Sequence, residues 1–149
     1  MNFNGSWKCT HREGDDTIMR EMQLPEDHIK KFCDDNLHPV YTFSIKDDKK
    51  TLDFIQLWPG QSTFLSQSAT FNKDMFDDRP EVQAQTGYSM VWSLDNDNEL
   101  THVFSQCDGN GDVGFRIVTK YELSEDRETI QGRTKSEGGA RSSITLKRI

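Results

Sequence analysis

Positive charge is scarce in this sequence: 18 Lys and Arg stand against 25 Asp and Glu, a net charge of −7. No basic stripe interrupts that acidic excess, which argues against nucleic acid, a partner held by clustered cations. Long hydrophobic runs are missing too. None approaches the roughly 20 residues of a membrane-spanning helix. With Met1 as the native start, Phe3 and Gly5 follow too closely to leave room for a secretory signal, which predicts a cytoplasmic protein. Cysteine is sparse and odd in number. Cys9, Cys33 and Cys107 are widely spaced, form no Cys-x-x-Cys and fit a reducing compartment better than a disulfide framework.

Signatures of chemistry are also lacking. There is no Gly-x-Ser-x-Gly and no phosphate-cradling loop, and His11, His28, His38 and His102 share no metal-ligand spacing. No catalytic residue, metal or cofactor is therefore predicted. Asp108-Gly109-Asn110-Gly111-Asp112 invites a calcium-loop comparison, which fails because the sixth and twelfth positions, Gly and Glu in such a loop, are Val113 and Thr119. A Gly-rich hairpin turn accounts for it better. Repeats, linkers and low-complexity tracts are absent, and residues 1–149 suit a single domain with a sizeable core.

What the chain does have is rings. Hydrophobic residues make up 33% of it, yet nine Phe, three Trp and three Tyr concentrate the apolar surface in large side chains. The segment 15–36 carries the helical pattern, with Ile18, Met19 and Met22 at helical spacing, then a break at Pro25, then Ile29, Phe32 and Cys33 on one face. This predicts two short helices joined by a tight turn, with Lys30 and Lys31 toward solvent. From Pro39 onward the pattern turns to short alternating runs: 40–45, 51–58, 62–71, 85–94, 100–106, 113–123, 128–136 and 142–149, separated by turn residues. A meander of strands after one helical hairpin favours an antiparallel β-barrel.

The residues then resemble a known group, the intracellular lipid-binding proteins, which include the fatty-acid-binding and cellular retinoid-binding proteins of the calycin superfamily. Phe3-Asn4-Gly5-Ser6-Trp7-Lys8 is similar to that family's opening, and Asp15 to Pro39 matches its helix-turn-helix in length and position. Ser62-Thr63-Phe64, then Phe71 and Phe76-Asp77, resemble its third-to-fourth-strand segment, with Phe64 as the portal phenylalanine. Ser93-Leu94-Asp95, Leu100-Thr101-His102-Val103 and Thr145-Leu146-Lys147-Arg148-Ile149 continue the match in order. The resemblance implies an up-and-down barrel of about ten strands with a helix-turn-helix lid. Its cavity would hold a small hydrophobic ligand, such as a fatty acid, a retinoid or a similar lipid.

One departure bears on the ligand. Family members that bind fatty acids hold the carboxylate with an inward Arg and, two residues on, a Tyr of the last strand; the matching positions here are Ile144 and Leu146. A second inward Arg precedes a Glu-Leu pair, and here Glu122-Leu123 is preceded by Tyr121. Charged hydrogen bonds are worth about 1.5 to 3 kcal/mol each, so losing two basic anchors disfavours a buried carboxylate and predicts a neutral or weakly polar head group. Arg133, which shares a face with Gln131, would restore an anionic ligand if it pointed inward; Arg116 reads as solvent-facing, opposite Phe115, Ile117 and Thr119.

The expected function is reversible binding and intracellular transport or buffering of a hydrophobic ligand by a monomer, with transient membrane contact through the helical lid. The candidate ligand contacts are Met19, Met22 and Phe32 on the lid, Phe64 at the portal, and Tyr121, Arg133, Ile144 and Leu146 in the cavity. Ordinary core packing is the rival account of each. Three alternatives stay open. An enzyme acting on a hydrophobic substrate or chromophore would need an inward acid, base or nucleophile, for which Tyr121, His102 and Cys107 are the candidates. A protein-interaction module would expose an apolar patch at the lid or at Trp58-Pro59-Gly60, and a secreted lipocalin would have a longer native N-terminus and a disulfide.

Overall fold

A computed structural model describes residues 2–34, 37–60, 64–107, 110 and 112–149, apart from the side chain of Phe64. Parts of the expected 15–36 helical segment and 62–71 strand, and most of the Gly-rich turn at 108–112, thus lie outside the described residues. Among the described residues the chain forms nine strands and three helices. These are β1 (Gly5–Glu13), α1 (Asp15–Glu21), α2 (Glu26–Phe32), β2 (Val40–Ile45), β3 (Thr51–Leu57), β4 (Phe64–Thr70), α3 (Pro80–Thr86), β5 (Tyr88–Asn96), β6 (Glu99–Cys107), β7 (Val113–Leu123), β8 (Thr129–Ser136) and β9 (Arg141–Arg148). One antiparallel sheet runs β4-β3-β2-β1-β9-β8-β7-β6-β5, so the two ends of the chain pair at its centre. The barrel is as expected, with nine strands where about ten were anticipated.

The sheet's two edges, β4 and β5, do not pair as strands. The connecting segment fills the gap instead: the Asn72 N–H donates to Trp92 O and the Met75 N–H to Met90 O, both at 2.8 Å. Inside, Trp92 Nε1 donates across the same gap to Gln67 Oε1 at 3.1 Å. Two β5 carbonyls left by the missing strand pair thereby find partners. After this segment α3 departs from expectation, because the sequence pattern placed helices only within 15–36. Its sequence, PEVQAQT, buries no residue, so it has no apolar stripe to read.

The helical lid follows from local chemistry. Asp15 and Asp16 in the first turn of α1 and Arg20 in its last complement the helix dipole, and Pro25 stands at the N-cap of α2, where a missing N–H costs nothing. Gly14, at φ 80°, turns the chain from β1 into α1; a Cβ there would lie 2.3 Å from Arg141 O.

One end of the barrel is solid. Trp7 and Phe3 are fully buried, Trp7 Nε1 donates to Phe3 O at 2.9 Å, and the Arg148 guanidinium covers the indole at 4.1 Å. Above them Phe43, Phe54, Trp92 and Tyr121 form a connected ring cluster with centroids 5.1 to 6.0 Å apart. Ile144 and Leu146 face this interior as the pattern predicts: Leu146 is fully buried, and Ile144 packs against the cluster.

Candidate functional site

The other end of the barrel is hollow. Beneath α1 lies a cavity of about 380 Å³, within the range of small-molecule sites. Ile18, Met19, Met22 and Leu24 of the lid form its roof, and Met90, Phe104 and Ile117 supply its apolar walls. Met22, Leu24 and Phe104 also line a neighbouring depression, which makes the mouth, together with Gln23, Tyr88, Gln106 and Phe115. Tyr88 and Phe115 flank Phe104 there, with ring centroids at 5.2 and 6.4 Å.

Polar groups in the cavity fall in a row dictated by strand register. His102 of β6 is opposite Thr119 of β7, Thr119 is opposite Thr134 of β8, and Thr134 is opposite Ser142 of β9. The Thr119 and Thr134 hydroxyls hydrogen-bond at 2.9 Å, while Ser142 lies beside the carboxyl of Asp15 at the start of α1. His102 lies against Trp92, ring centroids 4.5 Å apart, and its Nε2 is buried without a hydrogen-bond partner. Burial lowers the His102 pKa to about 4, so the imidazole is neutral at pH 7. Burial likewise raises the Asp15 carboxyl above its usual range, opposed by the Arg12 charge and by Ser142. Among the described residues lining the cavity there is no Lys or Arg.

Arg12 approaches the lid from another side. A bulge between Cys9 and His11 shifts the β1 register, so that Arg12, opposite Ile144, is buried while His11 is exposed. Its guanidinium donates to Phe32 O at 2.6 Å and Asp34 O at 2.9 Å, pairs with Asp15 at 3.4 Å and lies 5.0 Å from the Trp58 ring centroid. One side chain thus ties together β1, both lid helices and the end of the β3 hairpin. Glu21 fastens α1 separately through a hydrogen bond to the buried Ser136 hydroxyl.

The structure divides the residues singled out by sequence. Met19 and Met22 line the cavity. Phe32 does not; it meets Trp58 edge-on at 5.5 Å beneath the lid's outer flank. Trp58 is correspondingly half-buried, not part of a bare patch. Tyr121 belongs to the ring cluster below, and burial raises its hydroxyl pKa far above the ordinary value. Phe64 pairs with Leu57 through its backbone, and its side chain lies outside the described residues.

Arg133 corrects the inward placement. Its side chain is 62% exposed on the outer face, 3.5 Å from Glu122, because strand alternation points Gly132 and Thr134 inward and Arg133 out. It borders a larger concavity of about 620 Å³ outside β7, β8 and β9, lined by Glu13, Lys120, Glu122, Lys135 and Arg141. That groove carries charged side chains, which the cavity beneath α1 lacks apart from Asp15, and the two share Thr134 and Ser142. Arg116 also faces outward, bonded to Ser105 and paired with Glu137. Sequence reasoning missed Thr134, Ser142 and Asp15 as a row, and it weighed His102 only as a possible catalytic group. The signal was available: His102 alternates with Leu100 and Phe104, which fixes it inward.

No protein-family model matches the chain. A curated relative, fatty acid-binding protein type 2 of Fasciola hepatica, is 26% identical over 102 residues, 68% of this chain and 70% of that protein. Solved structures with similar folds include the Schistosoma mansoni fatty acid binding protein in complex with arachidonic acid, with a TM-score of 0.74 and 16% identity over 99% of this chain and 96% of the other. The wild-type fluorescent protein UnaG is similar at a TM-score of 0.75 and 16% identity, covering 99% of this chain and 97% of its own. Echinococcus granulosus fatty-acid-binding protein 1 gives 0.74 at 11% identity, covering 99% and 98%.

Proposed function

We propose that this chain, a member of the intracellular lipid-binding protein family, reversibly binds one long hydrophobic molecule in the cavity beneath α1 and carries or buffers it in the cytoplasm as a monomer. The observation that carries this proposal is the hollow, apolar-walled half of a barrel whose other half is packed solid. Removing apolar ligand surface from water contributes about 25 cal/mol per Å², enough for tight binding without a charged anchor. A neutral or weakly polar head group suits the site, since no cation lines it among the described residues and its one carboxyl, Asp15, is already paired with Arg12. Met19, Met22, Met90 and Phe104 would contact the chain of the ligand. Transient membrane contact through the lid would fall to Lys30 and Lys31, exposed in the last turn of α2, against the opposing charge of the exposed Glu26 and Asp27 in its first.

Carriage fits the interior better than catalysis. Among the described residues, the buried imidazole of His102 has no hydroxyl or thiol bonded to its Nε2, so it is not set up as the base of a nucleophile. Native mass spectrometry of the purified protein, with solvent extraction, would identify a resident lipid. Nile red supplies the complementary test: its fluorescence should rise on mixing with the protein, and Met19→Trp, which fills the cavity from its roof, should abolish the rise. Unchanged dye binding by folded Met19→Trp would refute this location.

A further inference from the structure

We infer that His102 is the head-group selector of this cavity: its buried Nε2 forms a hydrogen bond with an uncharged hydroxyl or carboxamide at the polar end of a long-chain lipid. This rests on the proposed use of the cavity for binding. The imidazole edge is the one buried side-chain nitrogen lining the cavity that has no partner among the described residues. A buried polar atom left unpaired is costly, and a ligand that satisfies it recovers that cost. The hydroxyls of Thr119 and Thr134 have each other as partners and Ser142 lies beside the Asp15 carboxyl, whereas His102 Nε2 has none. The group that gains most from a ligand partner is therefore His102.

The same geometry disfavours a carboxylate head. His102 is neutral, so it offers a dipole and no charge, and the opposite end of the polar row ends at the Asp15 carboxyl. Arg12 pairs with that carboxyl at 3.4 Å and gives its other donors to the carbonyls of Phe32 and Asp34, so its charge is not offered to the cavity. Alcohols and amides need no cation and offer both a donor and an acceptor. His102 packs against Trp92 with the two ring planes tilted at 41°, a contact that holds the imidazole in place, so the head group meets a preorganised partner.

The experiment is displacement of Nile red at pH 7.5 by cetyl alcohol, palmitamide, palmitate and hexadecane, using the intact protein. The wild type should prefer the alcohol and the amide to palmitate by about tenfold or more. His102→Phe keeps the ring against Trp92 and should weaken alcohol and amide by about tenfold while leaving hexadecane unchanged. His102→Gln, which restores a hydrogen-bonding group, should recover most of the alcohol preference. The inference is overturned if palmitate binds as tightly as the alcohol, or if His102→Phe leaves the order of affinities intact while Met19→Trp blocks Nile red; the cavity proposal survives in both cases. If Nile red binding is indifferent to Met19→Trp, both proposals fall.

Discussion

Replacing Arg12 with Met should loosen the lid while sparing the barrel. The substitution keeps an unbranched apolar stem beside Trp58 but removes the donors to Phe32 O at 2.6 Å and Asp34 O at 2.9 Å. It also leaves the partly buried Asp15 without its cation. Hydrogen bonds from a charged group contribute about 1.5 to 3 kcal/mol each; allowing for repair by water at the lid's edge, the local loss should be about 3 kcal/mol. At 1.4 kcal/mol per decade this raises the opening of α2 about 100-fold. Native-state hydrogen exchange reads it directly. The amides of Ile29 and Cys33, bonded to Pro25 O and Ile29 O, should exchange about 100-fold faster, while those of β6 and β7 change far less. Release of Nile red should accelerate in parallel. Unchanged α2 protection alongside a uniform loss across the strands would show Arg12 to be a general core residue and not a latch.

Other expected outcomes are narrower. Gly132→Ala places a Cβ 2.6 Å from Ile144 Cγ2 and 3.2 Å from the Tyr121 ring, and should lower stability in urea by about 1 to 3 kcal/mol; a neutral result would mean that the wall between core and cavity yields freely. Acid should destabilise the fold through His102: with a folded pKa of about 4 against the model 6.5, the unfolded chain binds the extra proton. That contribution is complete above pH 6.5 and falls by about 3 kcal/mol as pH drops to 4. Asp15, raised by burial, acts the other way at the acid end, so comparing wild type with His102→Phe isolates the histidine; equal pH profiles would contradict the assignment. Arg133→Ala should leave Nile red affinity within about twofold, since the exposed pair with Glu122 is outside the barrel; a large loss would return that arginine to the site.

Much of this architecture was legible because barrel strands alternate and their turns are marked. The run 113–123 reproduces β7 residue for residue, and 40–45 reproduces β2. The family resemblance turned Ile144 and Leu146 inward, where the structure has them, though both serve the packed half of the barrel. Alternation erred where apolar contrast fails. β8 reads Thr-Ile-Gln-Gly-Arg-Thr-Lys-Ser, so its inward face is marked chiefly by Ile130 and a glycine, and Arg133 could be turned either way. α3 escaped notice because its signals are positional: Pro80 at its start and Gly87 at its C-cap, with nothing buried between. The polar row was invisible for a different reason. Its members come from three β-strand pairings and a helix start, and only the register of β6 through β9 assembles them.

The central claim is that the hollow end of the barrel receives the lipid, and three methionine methyl groups report on it from roof and wall. Met19 of α1 and Met22 at its C-cap hang from the roof, and Met90 stands on the β5 wall. Titrating cetyl alcohol into protein labelled with ¹³C at its methionine methyls should shift these three signals together, saturating at one equivalent, while the backbone amides of Lys120 and Lys135 beside the outer groove stay in place. Saturable binding that moves those outer amides and leaves the three methyls unperturbed would contradict the account.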